Sequence, residues 1–273
     1  MLPEDKLVTD LKFVKSVEIL PDKKFGIDDL KKAAKILDGV ANVVTAPENP
    51  GGRPGIDPFF TTRTVSSLSH VIAVPHLSTR DKNRVFIISQ IISAIKDGIR
   101  NFFVVGGDPI DASISTFEVR ELDVIGLIRE IRRVQLEDYG GRLEINIGAA
   151  FNPYRTIEKE VSMKKMESGT DFFMTQPVYS PGHFDPELMK VRNFRIIPGF
   201  IPIRSKGAID FLKRMGVNLD ITDVRRLQDS DDIASLSRRM FLDAFEEIRG
   251  YSMGIHVMPM GDYKMARELL ESI

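Results

Sequence analysis

The 273-residue sequence predicts a (β/α)8 (TIM) barrel, and three observations carry that expectation. Short, nearly continuous apolar runs alternate with longer stretches of helical periodicity. The helical stretches tend to stop on glycine, and polar residues collect where the apolar runs end. The apolar runs occupy 13–20, 43–46, 71–75, 102–105, 145–149, 172–175, 195–201 and 255–258. Their lack of polar alternation is what parallel strands buried on both faces require. An open doubly wound sheet would alternate in the same way, so closure is an expectation drawn from the number of units and the chain length.

Between the runs, Val85, Ile88, Ile92 and Ile95 make one helical stripe, with Ser78 or Thr79 as its expected N-cap. Leu122, Ile125, Ile128, Ile131 and Val134 make another. The charges Arg129, Glu130, Arg132, Arg133 and Glu137 beside it read as a solvated face. Gly39, Gly98, Gly140-Gly141, Gly169 and Gly250 each stand a few residues before the next apolar run, where a left-handed residue ends a helix. The long interval 201–254 has room for two or three helical segments, and Asp229-Ser230-Asp231-Asp232 within it reads as a helix N-cap. No linker or low-complexity tract interrupts the chain, so residues 1–273 are expected to form a single catalytic domain.

Composition removes several classes of function. Lysine and arginine total 38 against 39 acids, a net charge of -1, so no global basic field would gather nucleic acid. Cysteine is absent, which excludes disulfides, thiolate metal sites and a cysteine nucleophile. The four histidines show no metal-binding spacing, so no metal is expected. No apolar run reaches the roughly 20 residues of a membrane helix, and Met1–Lys6 lacks a signal-peptide pattern. A cytoplasmic location follows as the default, with no nucleic-acid or membrane partner.

In a barrel, chemistry belongs at the carboxyl ends of the strands. Those ends carry Glu18, Thr45, His76, Gly106-Gly107-Asp108, Ala149-Ala150, Gln176, Gly199 and His256. Each also has a plain structural reading. Glu18 could be a buried acid satisfied by one arginine, Gln176 a loop cap, His76 and His256 core histidines, and the glycine pair a bare turn. Periodicity by itself supports only a (β/α)8 enzyme with an acid and an amide in its mouth.

The strand-end words, taken in order, resemble the catalytic domain of 5,10-methylenetetrahydrofolate reductases. Ser16-Val17-Glu18-Ile19-Leu20-Pro21 is similar to S-F-E-F-F-P-P, Val43-Val44-Thr45 to S-V-T, and Pro75-His76-Leu77-Ser78 to P-H-L-T. Gly107-Asp108 matches the end of R-G-D, and Ala149-Ala150-Phe151 resembles A-A-Y. Lys164-Lys165-Met166-Glu167-Ser168-Gly169, with Asp171, Thr175 and Gln176 beyond it, resembles K-x-K-x-D-A-G-A-(D/N)…T-Q. Residues 197–203 resemble V-P-G-I-L-P-V, and Gly254-Ile255-His256 the start of the last strand.

The resemblance implies reduction of a 5,10-methylene-tetrahydropterin to its 5-methyl form through bound FAD, with NADH or NADPH as electron donor, in one-carbon metabolism that feeds methionine biosynthesis. It assigns catalysis to Glu18, Asp108 and Gln176: Glu18 as general acid at the N10 side, Asp108 beside the cation that forms, Gln176 on the pterin edge. It assigns the cofactor to Thr45, His76, Gly107, Asp108, Ala149, Ala150 and Lys165, and the substrate to Glu18, Gln176 and Tyr179. The expected ligand is a tetrahydrofolate-type small molecule, with a homo-oligomer or a partner subunit left open.

Three departures keep other readings open. Gly106 replaces the arginine of R-G-D, Pro177-Val178-Tyr179 replaces an aromatic cluster, and Val257-Met258-Pro259-Met260-Gly261 replaces Y-T-L-N-R. A flavin-independent or non-folate C1-pterin reductase is one alternative. A pterin-binding or methyl-transfer accessory subunit without redox activity is the other. Gly106→Arg is expected to restore a charge-assisted hydrogen bond of about 1.5–3 kcal/mol and so tighten FAD at least tenfold, measurable by titration.

Overall fold

The computed structural model describes residues 6–20 and 26–273; Met1–Asp5, and Pro21 of the first-strand motif, lie outside that range. Eight strands form a closed parallel barrel: β1 (Val14–Glu18), β2 (Val43–Ala46), β3 (Ile72–Ser78), β4 (Asn101–Val105), β5 (Asn146–Phe151), β6 (Phe172–Pro177), β7 (Ile196–Phe200) and β8 (Gly254–Val257). Each strand pairs with the next, and β8 returns to β1 in the register Val14↔Gly254 and Ser16↔His256. All eight sequence-predicted runs are strands. Helices α1 (Ile27–Leu37), α2 (Pro58–Leu68), α3 (Arg84–Lys96), α4 (Val124–Glu137), α5 (Glu158–Glu167) and α6 (Pro186–Met189) follow the first six strands in turn. The long interval after β7 holds α7 (Lys206–Arg214), α8 (Ile221–Asp229) and α9 (Ile233–Ile248), the last capped by Asp232, and α10 (Tyr263–Glu271) follows β8.

Alternation along each strand sorts side chains into two layers. Val14, Val43, Ile72, Val74, Phe103, Phe172, Met174 and Ile197 pack together inside the barrel. Residues at the alternate strand positions, such as Val17, Val44, Ile147 and Phe173, pack outward against the helices. The amino-terminal segment seals the bottom. Val8 joins the interior cluster and its amide donates to Asn101, while the amide and hydroxyl of Thr9 both donate to Asn146, each at 2.9 Å.

Two expectations are corrected. Helix α3 begins at Arg84 and is capped by Asn83, whose side chain accepts from the Phe86 amide; Ser78 still belongs to β3. Its buried stripe is Ile87, Ile91, Ala94 and Ile95, whereas Val85 is exposed. The strand continued further than its apolar run suggested, which moved the helix start and the phase of the stripe. The charges on α4 are also more than a solvated face. Glu130 is buried and holds Arg84 and Arg133. Arg132 donates to the carbonyls of Gly169 and Ile145 and pairs with Asp171, whose carboxylate accepts from the Ile147 amide. That clamp fixes where β5 and β6 start.

No described helix is long and apolar enough to cross a membrane. Among the described residues no cluster of three or more His, Asp or Glu could hold a metal ion.

Interior packing has no slack at Gly148, which pairs with Phe172. A Cβ there would stand 2.4 Å from the Phe172 ring and 2.9 Å from that of Phe103. Gly148→Ala is therefore expected to cost about 1–3 kcal/mol of stability, read as a lowered denaturant midpoint at unchanged m-value.

Candidate active site

Continuing the interior alternation to the carboxyl ends replaces the apolar cluster with polar groups. Ser16 and Glu18 follow Val14 on β1, Thr45 follows Val43 on β2, and His76 and Ser78 follow Val74 on β3. Ala150 follows Gly148 on β5, Gln176 follows Met174 on β6, and His256 follows Gly254 on β8. Glu18 and Thr45 are register partners, as are His76 and Phe103, whose rings lie 4.7 Å apart between centroids. Glu18, Thr45, His76 and Gln176 therefore converge on one rim, and Asp108 comes over it from the loop after β4.

Burial, and then the charge of Asp108, push the Glu18 carboxyl up from its ordinary 4.5 to about 7. A substantial fraction thus carries its proton at neutral pH. The Asp108 carboxylate is itself exposed and accepts from the Gly51 amide at 2.7 Å, so it is anchored rather than swinging. Burial holds the two interior imidazoles neutral. His76 falls to about 3, helped by His256 nearby, and His256 falls to about 4. The His256 Nδ1 is hydrogen-bonded to Ser16 Oγ at 2.9 Å.

Gln176 sits where the pairing of β6 with β7 slips between Met174 and Pro177, and such an irregularity re-aims a side chain. The Thr175 hydroxyl secures it, donating to the Gln176 carbonyl and accepting from the Gly199 amide at 2.8 Å. The Tyr154 hydroxyl holds the next carbonyl, that of Pro177, at 2.6 Å.

The remaining expected residues divide. Ala150 faces the interior, but the Ala149 side chain is buried in the helix-facing layer, leaving only its backbone for the mouth. Lys165 is buried on α5 with its ammonium on the Ala150 carbonyl and Glu158 at 3.7 Å, so its charge already has a counter-ion. Tyr179 is not brought to the rim. It packs in the outer core against Phe200, with its hydroxyl on the Ile201 carbonyl at 2.7 Å. Gly107 has φ +79, and a Cβ on it would lie 2.9 Å from the Cβ of Arg80, so its bareness admits an arginine of the same chain.

Other mouth residues were missed by sequence reasoning. Arg80, whose side chain is 2% exposed, binds Asp81 through Nε and Nη2 and donates through Nη1 to the Asp108 carbonyl at 2.5 Å. Buried Lys82 pairs with Glu48 at 2.7 Å, and Glu48 also accepts from the Ser78 amide at 2.6 Å. Arg120 donates to the Gly106 carbonyl at 2.9 Å, so a guanidinium borders the position that lacks the family's arginine. Tyr263, at the start of α10, is raised first by burial and then by the charge of Glu18. The signal available for Arg80 and Lys82 was the run Arg80-Asp81-Lys82, directly behind a strand-end word.

Three buried polar atoms at the ends of β2 and β3 have no hydrogen-bond partner: Thr45 Oγ1, His76 Nε2 and Ser78 Oγ. A flat heterocycle with donors and acceptors along its edge would satisfy atoms of this kind, so the donor set fits a flavin-type ring.

The fold and site define a (β/α)8 protein whose mouth holds a carboxyl pushed up toward neutrality and two imidazoles pushed down by burial. The family profile for methylenetetrahydrofolate reductase matches residues 13–271, and the chain belongs to that family. It is 26% identical over 222 residues to methylenetetrahydrofolate reductase 2 of Schizosaccharomyces pombe, an alignment covering 70% of this chain and 33% of that one. The chain therefore spans about a third of the length of that curated relative. Among solved structures, an uncharacterized protein from Clostridium thermocellum that binds two copies of 5-methyl-5,6,7,8-tetrahydrofolic acid superposes over 100% of both chains, with TM-score 0.73 and 14% identity. A 2,3-dimethylmalate lyase of the PEP mutase/isocitrate lyase superfamily matches 96% of this chain and 81% of its own with TM-score 0.53 and 11% identity. These two likenesses are of fold.

Glu18 has its pKa raised by folding, so its contribution to stability is full below pH 4.5 and is lost as pH rises through about 7. Glu18→Gln removes the titrating group. The melting temperature of the variant relative to the parent is expected to climb between pH 4.5 and 8 and to level off above. With a discount for partial exposure the gain is about 1–3 kcal/mol.

Proposed function

We propose that the protein reduces a 5,10-methylene-tetrahydropterin to the 5-methyl form, with FAD as cofactor and NADH or NADPH as electron donor. The observation that carries this reading is the Glu18 carboxyl, held near a pKa of 7 beside the carboxylate of Asp108. A leaving amine needs a proton donor and the cation it leaves behind needs a fixed negative charge; one rim offers both. Family membership and the folate ligand of the Clostridium thermocellum protein support the substrate class.

In this reading Glu18 gives its proton to N10 as the bond from N10 to the methylene carbon breaks, leaving a 5-iminium cation. Asp108, anchored by the Gly51 amide, lowers the energy of that cation. Gln176 offers both a donor and an acceptor to the pterin edge from its bulged position. Thr45, His76, Gly107, Asp108, the backbone of Ala149 and Ala150, and Lys165 would hold the flavin, which supplies the hydride when bound. His76, kept neutral by burial, presents an imidazole edge there without adding positive charge.

Glu18→Gln separates the two halves of such a reaction. Reduction of bound flavin by the nicotinamide needs no acid and should keep its rate, whereas transfer to the methylene-pterin should slow by about 10²–10⁴ in stopped-flow absorbance. Equal slowing of both would make Glu18 a structural residue.

The counter-ion already on Lys165 favours a second reading, a pterin-binding protein without flavin. A visible spectrum of the purified protein, repeated after incubation with FAD, decides between the two.

A further inference from the structure

Arg80 lies outside every role assigned so far, yet it touches all three loops on the Asp108 side of the mouth. Its guanidinium reaches the carbonyl of Asn49 after β2, at 3.4 Å, and that of Asp108 after β4, at 2.5 Å. The fork is locked by the carboxylate of Asp81, which also accepts from the Asn49 amide group at 2.9 Å. Its own carbonyl receives the amides of Val119 and Arg120, at 2.8 and 3.3 Å, from the far end of the β4–α4 loop. Above it Gly107 leaves no room for a Cβ, so Arg80 and the backbone that carries Asp108 are in direct packing contact. A buried guanidinium that divides its donors between a neighbouring carboxylate and the backbone carbonyls of two other loops fixes loop positions more than it supplies charge to solvent.

We infer that Arg80 is the positioning residue for the Glu18–Asp108 pair, setting from the β3 loop the placement of the Asp108 carboxylate over the rim. This rests on the proposed role of Glu18 as a proton donor. Glu18 is faced by Asp108 from the β4 loop, by Tyr263 from α10, and by Thr45 on β2, with His256 on the adjoining β8. Of these, Asp108 is the group that Arg80 holds. Position 106 has no arginine; Arg120 of the same loop borders its carbonyl, and Arg80 from the loop after β3 holds the carbonyl of Asp108.

The sign of the effect separates positioning from plain electrostatics. Loss of a positive charge alone would favour the protonated acid and raise the Glu18 midpoint. Release of Asp108 into solvent removes a like charge and lowers it. The experiment is a 13C NMR titration of the Glu18 carboxyl in the ligand-free protein, with Glu18→Gln identifying the resonance. It is carried out on the parent, on Arg80→Gln and on Arg80→Lys, which keeps the charge but not the fork. The expected result is a midpoint near 7 in the parent and a lower midpoint in each folded variant, a loss of proton affinity of about threefold or more. If Arg80→Gln does not fold, Arg80→Lys decides. An unchanged or raised midpoint in the variants, with the parent near 7, overturns the role of Arg80 and leaves the reductase reading standing. A parent midpoint near 4.5 removes the acid itself and overturns both.

Discussion

The barrel closes where β8 lies against β1, and that seam permits no side chain at Gly254. A Cβ there would stand 2.2 Å from the carbonyl oxygen of Val14 and 2.5 Å from its Cβ. The tight approach fixes the register, setting Ser16 beside His256 and sending Glu18 to the rim one interior step above. A one-residue slip would exchange interior and exterior faces along the whole strand. Glu18 would then point at the helices, His256 would lose Ser16, and the mouth would have no acid. The chemistry of the site thus depends first on a steric constraint at the opposite end of the strand.

Given that register, the electrostatics of the mouth follow from burial. Imidazoles and carboxyls both shed charge when removed from water, in opposite pKa directions. His76 and His256 become neutral hydrogen-bonding groups, and Glu18 keeps its proton. Asp108 stands exposed beside it, its carboxylate on the Gly51 amide. Two carboxyls on one rim thus stand in different surroundings, one buried and one exposed, and the buried one is pushed toward its protonated form, as a proton donor requires.

The strand positions were legible in the sequence because a buried parallel strand has to be apolar on both faces, and few other elements satisfy that over so short a run. Glu18, Thr45, His76 and Gln176 were legible as a rim because strand ends in a barrel share one face. Tyr179 was misleading: it follows the Gln176 word directly, but the chain turns there and its hydroxyl is consumed by Ile201. Lys165 was placed by motif, whereas its partners Glu158 and the Ala150 carbonyl are contacts that only the packing of α5 reveals. Arg80 and Glu48 stayed hidden for a similar reason. Their value lies in which backbone groups they reach across loops, and spacing in sequence carries no record of that.

Backbone strain is distributed unevenly between the two ends. On the side where strands begin, left-handed turns fall mostly on glycines such as Gly39, Gly98, Gly141 and Gly169, where they are nearly without cost. At the mouth Gly51, Gly52, Gly107 and Gly261 do the same, but Asn49, Arg120 and Met260 also take positive φ with side chains attached, which is less favourable for each. Asn49 and Arg120 both belong to the network around Arg80, through the Asn49 carbonyl and the Arg120 amide. The Arg80 guanidinium donates to the Asn49 carbonyl, and the Arg80 backbone carbonyl accepts from the Arg120 amide, so both left-handed residues are tied to the same arginine. The loops after β2, β3 and β4 are therefore joined through one side chain, and the carboxylate facing Glu18 is carried on backbone that this side chain contacts directly.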